Sequence, residues 1–203
     1  RAVHCLRAQQ HSGRGGPAMT RIPQPGWWKR LRHSRGFGVH SPSAYRFIRE
    51  VICERLPYYG YEQADRRAGE WPLGGQKSLR LWLRLCAHFS PDAIAVCISS
   101  AARDCVCSIA AQTCPKANLL PRSVADAGLI IMCNSLPGEA REALKAVRNG
   151  ATVYFPACGS DSDKWLLRQL RALPFGHSFA NGAGAIIFVG LHTVPREHFD
   201  VRF

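Results

Sequence analysis

The sequence predicts an α/β fold: an open, mainly parallel sheet, preceded by a helical lead-in and ended by an antiparallel hairpin. Three observations carry this. Beyond Ser90-Pro91, short apolar runs alternate with helix-period segments, which implies parallel strands joined by crossovers. Asn181-Gly182-Ala183-Gly184 stands between two apolar runs and reads as a hairpin turn. Ser41-Pro42 opens a helix well before the first strand, with Ser as N-cap and Pro at the first helical position.

In order along the chain, 27–35 reads as a short basic helical segment with Trp27 and Trp28. The helix opened at Ser41-Pro42 runs to about residue 56, with Tyr45, Ile48, Ile52 and Leu56 on one face. Pro57-Tyr58-Tyr59-Gly60-Tyr61 breaks it, and 62–67 adds a further helical turn or two. Trp71-Pro72-Leu73-Gly74-Gly75 is a linker, followed by a helix over 77–89 with Leu79, Leu81, Trp82, Leu85 and Cys86 apolar. Residues 93–98 form a buried strand, 102–112 a helix, and 127–133 a strand. A helix over 138–147 stops at Asn149-Gly150. A strand over 151–155 and a helix over 161–173, capped by Ser160, follow. Strands at 177–180 and 185–190 make the hairpin, and 198–203 is a short terminal strand or extended tail.

The 203 residues suit one domain, or one domain with an arm, and 46% apolar content excludes wholesale disorder. No apolar run approaches the ~18 residues of a membrane helix, so no span is expected. The net charge of +13 is concentrated: residues 1–49 hold ten basic side chains and no acid, which leaves +3 for the remainder. Such an arm is either a solvated extension or an attractor for nucleic acid or another anionic surface. The nine cysteines are scattered, with no C-x-x-C pair and no secretory signal, so reduced thiols in a cytoplasmic protein are expected. Residues 1–18 lack apolar periodicity and precede Met19, so they are expected to be disordered and to lie upstream of the true start. The chain then divides into a basic helical lead-in over 19–74 and an α/β domain over 75–203.

Two stretches look familiar. Arg35-Gly36-Phe37-Gly38-Val39-His40-Ser41-Pro42, then Ala44-Tyr45-Arg46-Phe47-Ile48 and Pro57-Tyr58-Tyr59-Gly60-Tyr61-Glu62, resemble the opening of a bacterial family of class I S-adenosylmethionine (SAM) methyltransferases. Glu197-His198-Phe199-Asp200-Val201-Arg202-Phe203 resembles that family's end, and Ala185-Ile186-Ile187-Phe188-Val189 its last core strand. The family-like region covers 27–203. The resemblance implies a Rossmann-like methyltransferase sheet and, at the end of its first strand, a cofactor contact by Ile98, Ser99, Ser100 and Ala101.

The middle of the chain departs from that family. Its first strand should end in an acid and run into a glycine-rich loop, where the backbone approaches the cofactor. Here Cys97 stands in the acid's place, and Ser99 and Arg103 stand where glycine is expected. Only 14 residues separate Gln112 from Ala127, too few for a strand, a helix and another strand, so the sheet is expected to be short by one or two strands. The acid that would bind the ribose has no counterpart there. Cys133 takes the place of an expected Asp, and after 151–155 the first acid is Asp161.

For the other residues packing is favoured over chemistry. His40 is a candidate substrate-side or cofactor-side group, or a loop residue that caps or packs. Tyr58, Tyr59 and Tyr61 line a pocket or pack the lead-in on the sheet. His88 and His177 read as ordinary surface or core histidines. Ser135 and Ser160 lack a G-x-S-x-G setting. Cys105 and Cys107 lie two apart on a helix and do not share a face. No P-loop or zinc motif is present. The expectation is a methyltransferase-like protein with weak or no cofactor binding and no assigned catalytic or metal residue. The alternatives are an active methyltransferase on an unknown acceptor, and a nucleic-acid-associated scaffold using the basic arm.

Overall fold

In a computed structural model of the chain, residues 39–73, 75–98, 100–119 and 121–202 are described. The readings of 1–18 as a disordered leader and of 27–35 as a basic helix lie outside them. Among the described residues six strands form one mixed sheet: β1 (Ile94–Ile98), β2 (Leu129–Cys133), β3 (Thr152–Phe155), β4 (His177–Ala180), β5 (Ile186–Val189) and β6 (Glu197–Asp200). Their spatial order is β1-β2-β3-β5-β4-β6. The first three are parallel, β5 runs antiparallel between β3 and β4, and β6 is parallel to β4.

Six α-helices among the described residues flank this sheet: α1 (Pro42–Phe47), α2 (Tyr61–Arg66), α3 (Gly75–Phe89), α4 (Ser100–Thr113), α5 (Pro137–Arg148) and α6 (Asp161–Ala172). β1 and β2 are buried along their whole length, as continuous apolar runs covered on both faces should be. Alternate residues serve different layers. Ile94, Val96, Ile98, Leu129 and Ile131 pack with α1, α3 and α4 on the first face. Ala95, Cys97, Ile130 and Met132 pack with α5 and α6 on the second. The result is a three-layer α/β arrangement consistent with a Rossmann-like fold.

The lead-in shares the first-face core. Ser41 caps α1, and its last turn widens into a π-helix over Ile48–Ile52 before the chain leaves at Cys53. The helix is therefore shorter than the sequence suggests, and of the expected face Ile48 and Ile52 are buried whereas Tyr45 and Leu56 are not. Ala44, Phe47, Ile48, Val51 and Ile52 face the core, while Tyr45 and Leu56 are 44% and 68% exposed. The Glu54 carboxylate accepts from the amides of Arg55 (2.6 Å) and Leu56 (2.7 Å), which turns the chain out before residue 56. Arg84 on α3 then holds the exit. Its guanidinium donates to the carbonyls of Glu54 (2.9 Å) and Ile52 (3.3 Å) and to the Tyr61 hydroxyl (3.2 Å). Trp71, assigned to a linker, is buried in the same core.

The link from β1 to β2 is short, and its course follows from the side of the sheet on which α4 lies. The step from β2 to β3 passes through α5 on the second face. With right-handed connections, a step in that direction carries its helix on the second face, and the opposite step carries it on the first. α4 lies on the first face, so it suits a step away from β2, off the other side of β1. The chain takes that step for one residue. Asn118 bridges Ala93 in parallel; the Ile94 amide donates to the Asn118 carbonyl at 2.9 Å, and the Asn118 amide to Asp92 at 2.8 Å. A 3-10 turn at Val124–Asp126 then leads back to β2. Glu142 of α5 holds that turn, 2.8 Å from the Val124 amide and 3.0 Å from Ser123 Oγ. Among the described residues, the strand expected beside β1 is reduced to this one bridge.

The other end of the sheet is complete. The turn at Asn181 is closed by its own side chain, which accepts from the amides of Ala183 and Ala185 at 2.9 Å each. Gly184 takes φ of +94° there. Gly176, entering β4 at φ of +91°, is required for a second reason. A Cβ there would lie 2.7 Å from the Val189 carbonyl.

Candidate functional site

The carboxyl ends of β1, β2 and β3 are where an open α/β sheet binds its ligands, at the point where strand order reverses. Ile98 is the last residue of β1, and its side chain belongs to the first-face core. Ser100 and Ala101 are the first two residues of α4, and Ser99 lies outside the described residues. These four positions are consecutive at the strand-to-helix junction. Arg103, one turn into α4, returns its guanidinium to the Val96 carbonyl at 2.5 Å. The Ile94 amide points at Asn118, away from β2, and Val96 points the same way two residues on. Arg103 thus caps a carbonyl on the side of β1 that faces away from β2.

Cys97 and Cys133 stand in the places of two expected acids. Burial pushes the Cys97 thiol up to about 12 and the Cys133 thiol up to about 11. Both are neutral near pH 7, so neither supplies the negative charge of a carboxylate.

A fully buried acid at this end of the sheet is Asp163. Its Oδ2 accepts from the amides of Asn134 (2.8 Å), Ser160 (3.3 Å) and Gly159 (3.4 Å). Its Oδ1 accepts from Ser135 Oγ (2.6 Å) and the Ser135 amide (3.2 Å). The same residue completes a capping box on α6, where Ser160 Oγ accepts from its amide at 3.0 Å. Five donors occupy the carboxylate, so Asp163 fastens the loops after β2 and β3 together. Asn134 adopts φ of +55° in this clasp, and its side chain lies over Gly159 so closely that a Cβ there would meet Oδ1 at 2.3 Å. Sequence reasoning stopped at Asp161 and missed this acid, although Ser160-x-x-Asp163 carries the capping-box spacing.

A second polar cluster lies at the opposite end of the sheet, on β4 and β6. His177 is buried, 3.2 Å from Glu197 Oε2 and 3.4 Å from the α1 cap Ser41 Oγ. On the other face Ser178 Oγ is 2.8 Å from His198 Nδ1, and His198 Nε2 is 3.5 Å from Asp200. A recess of about 490 Å³ lined by Ala172, Leu173, Pro174, Arg196, Glu197 and His198 adjoins them. The order Ser-His-Asp is that of a nucleophilic relay, but the dimensions oppose one. The His-to-Asp distance exceeds a normal hydrogen bond, and Ser178 is only 5% exposed. This line satisfies polar groups across the β4–β6 register, where Ser178 pairs His198.

The remaining candidates separate. His40 is exposed. Tyr58 and Tyr61 pack against each other and the core, with ring centroids 5.3 Å apart, while Tyr59 is fully exposed. His88 packs edge-on against Phe47 and Phe89. Cys105 is buried and Cys107 half-buried on α4. Among the described residues no three His, Cys, Asp or Glu side chains group to hold a metal ion, and no helix is long and apolar enough to cross a membrane. No family model matches the chain, and neither the curated proteins nor the solved structures include a match to it.

Proposed function

We propose that the chain is a methyltransferase-like α/β module that has lost its cofactor chemistry and works as a scaffold. The observation that carries this reading is the state of β1. A Rossmann-type cofactor is held between the carboxyl end of the first strand and a neighbour that brings the ribose-binding acid. Here the described neighbour is the Asn118 bridge, which sits at the amino end of β1. The strand-end acid is replaced by a neutral thiol at Cys97. Arg103 takes up the Val96 carbonyl. The terminal resemblances to the methyltransferase family support this reading, and the departures from that family fall on the cofactor side.

Titration calorimetry of the full chain with SAM and with S-adenosylhomocysteine tests this. The expected result is no saturable heat from a cooperatively folded protein. A saturable isotherm with either ligand overturns the reading and restores an active methyltransferase, with Ile98, Ser99, Ser100 and Ala101 as its first contacts.

The charge asymmetry favours a second reading, a nucleic-acid-associated scaffold. Ten cations and no acid in residues 1–49 form one block, and Trp27 and Trp28 offer stacking surfaces. Charge reversal at Arg30, Arg32 and Arg35 should then abolish a salt-dependent binding to single-stranded RNA. Unchanged binding sinks this version.

A further inference from the structure

The cations of the α/β body are not scattered. α5 and α6 follow the parallel strands β2 and β3, so they run parallel to one another, and they pack side by side on the second face. Each turns an apolar flank inward: Ala140, Ala143, Leu144 and Val147 from α5, Leu166 and Leu170 from α6. Each also carries an exposed basic row at the same i, i+4, i+7 spacing. Arg141, Lys145 and Arg148 form the row on α5, and Lys164, Arg168 and Arg171 the row on α6. A row is about 10 Å long, and packed helix axes lie about 8–10 Å apart.

The two rows flank an aromatic ring. Glu142 of α5 reaches the turn at Val124–Asp126, which comes in from the β1 side. Arg141, Lys145 and Arg148 therefore lie on the flank turned toward α6. Trp165 follows Lys164 as Glu142 follows Arg141, so its half-buried ring turns from α6 back toward α5 and lies between the rows. Most of the charge is uncompensated. Among the described residues, Lys164 alone of the six cations pairs with an acid, Asp161 at 3.2 Å. The carboxylates of Glu139 and Glu142 are engaged by the amides of Leu136 and Val124, at 2.8 Å each. Lys145, Arg148 and Arg171 lie in last turns, where a cation complements the helix dipole, but Arg141, Lys164 and Arg168 do not.

We propose that the α5–α6 face is a docking surface for single-stranded nucleic acid, whose phosphates follow the two basic rows and whose bases stack on Trp165. The aromatic ring between cations selects this partner, because a duplex offers phosphates but no free base faces. A membrane-binding face needs exposed apolar side chains among its cations, and no exposed large hydrophobic residue lies within α5 or α6. The surface is separate from the basic block in residues 1–49, and the inference does not rest on that block.

The test follows the anisotropy of a labelled oligouridine with the full chain over a series of salt concentrations. The expected result is binding that weakens as salt rises. Replacing Lys145, Arg148, Arg168 and Arg171 together by Gln should lower the slope of log affinity against log salt by about 3 and weaken binding about tenfold or more at low salt. These positions are exposed, so the variant should melt like the parent. A charge-matched variant at Arg55, Arg66, Lys116 and Arg122, exposed cations elsewhere, should stay within about twofold of the parent. Photocrosslinking of a thiouridine oligomer to the parent, read by mass spectrometry, needs no variant and should place adducts on α5 or α6. Absence of binding at low salt overturns the proposal. So does an equal loss in the two variants, tighter binding to a duplex, or capture by phosphatidylserine vesicles without binding to the oligomer. Adducts confined to residues 1–49, or a loss seen only on charge reversal at Arg30, Arg32 and Arg35, overturn it in favour of the basic block.

Discussion

The two ends of the sheet are built to different standards. At the β4–β5–β6 end each strand is four residues long with a continuous ladder on its neighbour. The polar groups there are matched: His177 with Glu197 and Ser41, Ser178 with His198. At the β1 end a five-residue strand meets, among the described residues, one bridging residue on its outer side, and an arginine caps one of its carbonyls. The difference shows that core packing and ligand chemistry make separable demands on an α/β fold. The layers that bury Ile131, Tyr154 and Ile187 are continuous, while among the described residues the outer edge of β1 meets only the Asn118 bridge.

Changes that strike the intact framework should have the largest effects. Asp163→Ala leaves three backbone amides in the two loops, the Ser135 amide and the Ser135 hydroxyl without their acceptor. It should cost about 3–5 kcal/mol in urea unfolding. A loss below about 1 kcal/mol would mean that water replaces the clasp and that the carboxylate is free for another use. Gly176→Ala meets both a left-handed φ and the Val189 carbonyl, and should cost about 2–3 kcal/mol. Its damage should be confined to the β4–β5 ladder, so slow amide exchange should persist in β2.

Arg84→Leu keeps much of the side-chain volume but releases the carbonyls of Ile52 and Glu54. A loss of about 1–2 kcal/mol is expected, with faster limited proteolysis between residues 53 and 58. Proteolysis unchanged from the parent would show that the lead-in is held by its apolar face alone.

The smallest effect is a pH dependence. Burial lowers the pKa of His177, His88 and His198 from the ordinary value. The unfolded chain therefore binds more protons than the folded one in the window just below the unfolded pKa of about 6.5. Stability should be complete above that value and should fall as the pH drops toward the lowered folded values. His177→Gln should flatten the profile most among the three, since that ring is nearly solvent-free and packed against Phe179 and Phe199. An unaltered profile would move the effect to the other two histidines.

Where the sequence was legible, one local rule controlled the outcome. β2 and β3 are apolar runs between turn signals, and burial on both faces leaves them few alternatives. α6 announces its cap at Ser160, and the hairpin announces its glycines. In the lead-in helix Ile48 and Ile52 follow the periodicity, whereas Leu56 lies past the turn that Glu54 imposes and the π-helical turn adds Val51 to the buried face. The shortage of residues between Gln112 and Ala127 was readable, but its solution was not. Asn118 reaches β1 through its backbone, and a single bridge has no periodic signature. The Asp163 clasp was half-legible, since its capping spacing is local while its bonds to Asn134 and Ser135 depend on how two loops meet. The pairing of Ser178 with His198 depends on strand register across 20 residues, which no local pattern encodes.

Amide hydrogen exchange along β1 tests the contrast between the two ends most directly. The amides of Ala95 and Cys97 face β2, whereas those of Val96 and Ile98 face the other side, beyond the Asn118 bridge. The account predicts alternation, with slow exchange at Ala95 and Cys97 and fast exchange at Val96 and Ile98, beside uniformly slow exchange in β2 and β5. Uniformly slow exchange throughout β1 would contradict it, because a full neighbouring strand would then cover that edge and rebuild the wall of a cofactor site.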